Sequence, residues 1–131
     1  MTRFFTCIMA AFLCIGAAHT QDKIVPIPRH VCGPDVMDRG IASVYDTTFD
    51  GRETASGEIL DVEAITAAHP SVPFGNVVKV TDARSRKSIM VRINDRGPFV
   101  EGRVIDLTPA AMRALGHKHP GLYKVSVKLC R

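Results

Sequence analysis

Two β-branched runs, Val77-Val78-Lys79-Val80-Thr81 and Ser88-Ile89-Met90-Val91-Arg92-Ile93, flank the polar turn 82–87. No other feature narrows the possible folds as much. Runs of this kind bounded by turn formers pair as a β-hairpin. Side chains alternate along a strand, so Ile89, Val91 and Ile93 share one face. A lone hairpin cannot bury such a face, and further short strands are read at 41–45, 104–107 and 122–129. Thr108 is a good N-cap, with Pro109 at the first helical position and Gly116 as the stop, which predicts a helix over 110–115. Residues 62–69 are expected to hold one or two helical turns ended by Pro70, while 46–58 and 94–102 are rich in turn formers and read as loops. Short strands with little helix predict a mainly β protein, closed into a small barrel that leaves no free edge. Its interior would be lined by residues such as Val78, Val80, Ile89, Val91, Ile93 and Val125.

At 131 residues the chain has room for one domain. Its first twenty residues differ from the rest. Thr2 and Arg3 give a short positive start, 4–18 form an apolar run, and Gly16, Ala17 and Ala18 precede a polar stretch. These are the parts of a cleavable signal peptide, and the run is shorter than the roughly twenty residues of a membrane span. Neither Cys7 nor Cys14 is preceded by the Leu and small residue of a lipoprotein signal. The expected organisation is therefore a signal peptide over 1–20, a linker or N-terminal arm over 21–39 with Pro26, Pro28 and Pro34, and a folded domain over 40–131. The mature form would carry no membrane anchor and be a monomer in the periplasm or the medium. Cleavage lowers the formal net charge from +4 by one unit, too little and too unclustered for a nucleic-acid binder. It also leaves two cysteines, Cys32 and Cys130, in an oxidising compartment. Paired, they would close a loop worth roughly 4–5 kcal/mol in chain entropy; the alternative is two unpaired thiols.

Asp95 continues the face of Ile89, Val91 and Ile93, which places it at the barrel mouth against apolar surface. A carboxyl in such a setting holds its proton toward neutral pH, as a general acid must. The plainer reading is a turn-capping Asp. Glu58 closes a loop, where a solvated carboxylate is the default, and His69 stands alone after Thr66-Ala67-Ala68. His117-Lys118-His119 lacks a third ligand and reads as an exposed loop, so no metal site is expected. Arg84, Arg86 and Lys87 read as a solvated hairpin tip that an anionic polymer could contact. Cys32 and Cys130 have neither zinc spacing nor a neighbouring base.

The segments Gly40-Ile41-Ala42-Ser43-Val44-Tyr45, Gly51-Arg52-Glu53-Thr54-Ala55-Ser56-Gly57-Glu58, Thr66-Ala67-Ala68-His69, Val91-Arg92-Ile93-Asn94-Asp95-Arg96-Gly97-Pro98-Phe99-Val100 and Gly102-Arg103-Val104-Ile105-Asp106-Leu107 occur in this order. Together they strongly resemble the RlpA-like (rare lipoprotein A) family. The resemblance implies a six-stranded double-psi β-barrel with one or two short helices. It also implies endolytic lytic transglycosylase activity on peptidoglycan glycan strands, cleaving MurNAc-GlcNAc bonds and leaving 1,6-anhydro-MurNAc ends without a cofactor. It makes Asp95 the catalytic acid, adds Glu58 and His69 as catalytic residues of the same groove that orient sugar and acid and stabilise charge, and assigns Tyr45, Thr54, Thr66, Asn94 and Arg96 to substrate binding. Two segments depart from the family pattern. Val44 and Asp46 stand where Trp and Gly are usual, and Asp50 stands where His is usual; the chain has no Trp at all. The alternative function is a non-catalytic, expansin-like module that binds cell-wall glycan. For the signal peptide, the mass of the exported protein should correspond to a new N-terminus near residues 19–22 with no acyl increment; retention of Met1 or an added lipid mass would contradict it.

Overall fold

The computed structural model describes residues 29–131. The expected signal peptide and residues 21–28 of the expected arm lie outside them. Six strands form the domain: β1 (Asp38–Val44), β2 (Thr66–Ala68), β3 (Val77–Asp82), β4 (Ser88–Asp95), β5 (Arg103–Leu107) and β6 (Tyr123–Cys130). They close in the order β1-β5-β2-β4-β3-β6. The β1–β5 and β2–β4 pairs are parallel and the other four are antiparallel. The predicted hairpin is β3–β4, with Val78 opposite Val91 and Val80 opposite Ile89. Every strand has two neighbours, so no edge is left to pair with another chain.

Alternation fills the interior. Val78, Val80, Val91, Ile93, Ile105, Leu107, Val125 and Val127 are all buried, and Ile89 packs against them from a partly buried position. Each such side chain contributes roughly 1.5–3 kcal/mol of apolar burial. Gly40 permits the close approach of β1 to β5, because a Cβ there would lie 2.6 Å from Val104 and 2.8 Å from the Gly102 carbonyl. One helix, α1 (Pro109–Ala114), starts where expected. Thr108 accepts from the Ala111 amide at 3.2 Å, and Ala110, Ala111 and Met112 face the core. A single 3-10 turn, Thr47–Phe49, sits in the long loop after β1.

The helical turns expected over 62–69 are not formed. Residues 62–65 make turns, and 66–68 are β2, buried on every side. Alanine favours helix, but so short a segment cannot nucleate one by itself, and the barrel needs a strand between β4 and β5, so tertiary pairing overrides the local preference. The pairing of β2 with β4 carries a bulge: Ala67 lies opposite Ile93 and Ala68 opposite Asp95. One residue of β4 is skipped, which re-aims the side chains around it. Asn94 turns into the interior at 1% exposure, and Asp95 stays accessible at the end of the strand.

Cys32 and Cys130 are joined, 98 residues apart in sequence. The chain around Cys32 follows β6: Val31 and Arg131 exchange amide hydrogen bonds of 2.8 and 2.9 Å, and the Met37 amide donates to Val127 at 2.9 Å. Opening so long a loop should cost about 4 kcal/mol of stability. Alkylation of the native oxidised protein is expected to leave Cys32 and Cys130 unmodified, and reduction to lower its denaturant midpoint clearly. Two freely alkylated thiols in the native protein would contradict this arrangement.

Candidate active site

The C-terminal ends of β1, β4 and β5 meet at one end of the barrel, and Asp95 is the carboxyl they present there. Its Oδ2 accepts from the Tyr45 hydroxyl at 2.6 Å. Its Oδ1 accepts from the amides of Ala55 and Arg96, both at 2.9 Å. The apolar surroundings expected for Asp95 are therefore replaced by a polar cradle, built from the residue after β1, the loop before β2 and the turn after β4. Asp95, Tyr45, Phe49, Arg52 and Thr54 line a cleft of about 290 Å³. Tyr45 is fixed by its own amide, which donates to Leu107 at 3.0 Å. Burial, then the hydrogen bond to Asp95, hold the Tyr45 hydroxyl far above the ordinary tyrosine range. It stays a donor at any working pH.

A second carboxyl was not singled out from the sequence. Asp106 lies in β5 between the buried Ile105 and Leu107 and accepts from the Ser43 hydroxyl. Burial pushes its pKa above the ordinary aspartate value. The Ser43 hydrogen bond and Arg103 oppose that rise, and the charge of Asp95 adds to it. A carboxyl raised by desolvation beside another carboxyl marks a functional-site candidate. Its signal in the sequence was the acid inside the apolar run 104–107, which is an unusual place for an Asp unless its burial is useful.

Glu58 is held outside the cleft by a two-pronged pair with Arg92, at 2.6 and 2.5 Å, and by Asn94 at 3.4 Å. The Arg92 guanidinium keeps its carboxyl below the usual glutamate range, so Glu58 offers a fixed negative charge. His69 is 2% exposed. Its Nδ1 accepts from the amides of Ser71 and Val72, both at 3.1 Å, which puts the ring proton on Nε2, 2.8 Å from Asp38. The imidazole is thus spent on Asp38 and the following turn. Only its backbone reaches Asp95, through an amide bond of 3.2 Å to the Asp95 carbonyl.

The binding residues expected from the sequence separate into two groups. Tyr45 and Thr54 line the cleft; the Thr54 hydroxyl also donates to the Glu58 carbonyl at 2.8 Å and shapes that loop. Thr66 and Asn94, at 3% and 1% exposure, are interior and each keeps one unpartnered oxygen. Arg96 braces the turn after β2, donating to the carbonyls of His69 at 3.2 Å and Val72 at 2.8 Å, with its guanidinium 4.0 Å from the Phe74 ring centroid. Two aromatic rings not singled out in the sequence are accessible: Phe49 in the Asp95 cleft, and Phe99 four residues after Asp95 in the chain. Phe49 sits under Arg52 at 4.9 Å, and Phe99 is 82% exposed.

Comparison with known proteins places this arrangement. A probable endolytic peptidoglycan transglycosylase RlpA of Synechocystis is 52% identical over 92% of this chain and 36% of its own length. An endolytic peptidoglycan transglycosylase RlpA of Pasteurella multocida is 50% identical over 69% of this chain and 31% of its own. The chain thus spans about a third of the length of these curated relatives. Among solved structures, the apo expansin of Clavibacter michiganensis matches with a TM-score of 0.55 and 23% identity over 71% of this chain and 50% of that one. A Streptomyces papain inhibitor matches with a TM-score of 0.57 and 22% identity over 73% of this chain and 97% of that one. These two share the fold. A family model for lytic transglycolases matches residues 37–127, and the chain belongs to the RlpA-like double-psi β-barrel family.

Proposed function

We propose that this domain is an exported, endolytic peptidoglycan transglycosylase that cleaves MurNAc-GlcNAc bonds in the cell wall. The observation that carries the reading is Asp95: a carboxyl held in fixed orientation by Tyr45 and two amides, at the edge of an open cleft, within the segment that matches the family's catalytic acid. Asp95 donates a proton to the glycosidic oxygen as the bond to the MurNAc anomeric carbon breaks. The sugar's own 6-hydroxyl then closes on that carbon and returns its proton to Asp95. The ring closure consumes no water, so the second, water-activating carboxylate of an inverting hydrolase has no task here. Asp106, which burial raises above the ordinary aspartate value, stands with Asp95 opposite the same β2 residue, Ala68. Glu58, tied to Arg92, steadies the loop from which the Ala55 amide donates to Asp95. His69 keeps the turn after β2 and Asp38 in place, and so positions the backbone that meets Asp95. Phe49 and Phe99 offer ring faces for sugar stacking in a chain without Trp.

Asp95→Asn preserves shape and can still hydrogen-bond, but it cannot give up a proton. General acid–base groups contribute about 10²–10⁴-fold. Digestion of purified sacculi should therefore lose anhydro-sugar release by that factor while strand binding and the thermal midpoint are retained. A folded Asp95→Asn protein with the wild-type rate would move the acid to Asp106 or Glu58. A wild-type protein that binds strands and releases nothing would make the domain a glycan-binding module.

A further inference from the structure

At the other end of β4, around the β3–β4 turn, a cleft of about 390 Å³ is lined by Arg39, Arg86 and Lys124 together with Thr81, Asp82 and Ser126. Among the described residues, none of the three cationic side chains forms an ion pair or donates a hydrogen bond. The one acid present does not neutralise them. Asp82 is 2% exposed, and its carboxylate is consumed by the amides of Arg84 and Ser85, both at 2.8 Å, and by His117 at 2.5 Å. Arg86 has φ of 64°, the one non-glycine residue with positive φ among the described residues. This backbone conformation is strained for an L-residue, and glycine would adopt it freely. An arginine kept in the left-handed region of a tight turn, facing two other unneutralised cations, is the arrangement an oxyanion would stabilise.

The position of this cleft also matters. Tyr45, which holds Asp95, lines a second cleft of about 420 Å³ together with His117. His117 stacks on Tyr123 at 3.5 Å and bonds to Asp82, and Lys124 follows directly. Shared residues thus link the two ends: Tyr45 lines both the Asp95 cleft and this second cleft, and His117 bonds to Asp82 of the cationic cleft. The eight residues of β4 put the two ends roughly 20–25 Å apart.

We propose that the Arg39–Arg86–Lys124 cleft is a second site that binds an oxyanion, the carboxylate or phosphate of an anionic wall polymer, and so anchors the domain at a distance from the bond it cuts. Only the identity of the polymer rests on the wall-glycan reading; the anion site itself is independent of catalysis. Backbone-amide NMR titration of the oxidised protein tests it with three probes: glycan strands bearing free carboxylates, the same strands with those carboxyls amidated, and inorganic phosphate. Saturable shifts at 81–86 and 124–126 are expected with the first or the third probe. Strands alone would identify carboxylate as the ligand, phosphate alone would identify phosphate, and both outcomes support the site. The double variant Arg86→Gly, Lys124→Gln should bind about tenfold or more weaker. Because Gly accepts the turn without strain, its thermal midpoint should equal or exceed that of the single variant Lys124→Gln. Release of anhydro sugar from short, uncharged fragments, where it occurs, should be unchanged. Absence of these shifts with both strands and phosphate, equal shifts with amidated strands, or undiminished binding by the double variant would overturn the proposal. The phosphate arm decides even for a protein that cleaves nothing.

Discussion

The three residues of β2 lie between β4 and β5, parallel to one and antiparallel to the other, and they join the two halves of the sheet into a closed barrel. Three residues can span that gap only if their side chains are small enough to be buried on every side, as Thr66, Ala67 and Ala68 are. The bulge opposite them sends Asn94 inward and leaves Asp95 at the strand end. The C-terminal ends of β1 and β5 arrive at the same place, bringing Tyr45 and Asp106. The site is thus a consequence of closure: remove β2 from the sheet and Asp95 loses the pairing with Ala68 that sets its place beside Tyr45 and Asp106.

The electrostatics of the site follow from packing. Tyr45 donates to Asp95, and the buried hydroxyl has no tendency to ionise. Asp106 feels burial first and the neighbouring negative charge of Asp95 as well, against the help of Ser43 and Arg103. Two carboxyls so placed disfavour ionising together. Glu58 is the opposite case, an accessible carboxylate kept ionised by a guanidinium. The barrel end therefore pushes its carboxyls in opposite directions, Asp106 up and Glu58 down, the kind of separation acid–base sites use.

The hairpin, the closing strand, the capped helix and the apolar interior could all be read from the sequence, because period-two alternation and the Thr108-Pro109 start are local signals. The strand at 66–68 could not. Thr-Ala-Ala before His-Pro carries a weak helical preference, and its real partners are about 25 residues or more away. Alternation put Asp95 on the inward face, whereas the bulge turns Asn94 inward instead and leaves Asp95 accessible at the strand end; the cradle comes from Tyr45 and Ala55, on segments the alternation argument does not see. The same limit hid Asp106, whose meaning depends on burial beside Asp95. Thr66 and Asn94 carry the family pattern, yet they sit inside the barrel, so a shared motif can mark residues that hold the site together as well as those that line it.

The central claim is that Asp95 and Asp106 form one electrostatic unit at the barrel end, and carboxyl-carbon NMR titration of Asp106 tests it most directly. In the wild-type domain its midpoint should lie above the ordinary aspartate value of about 3.9. In Asp95→Asn, which removes the neighbouring charge and leaves the burial of Asp106 in place, the midpoint should fall part of the way back. An Asp106 midpoint at or below the ordinary value, or one that does not move when Asp95 is neutralised, would contradict the claim.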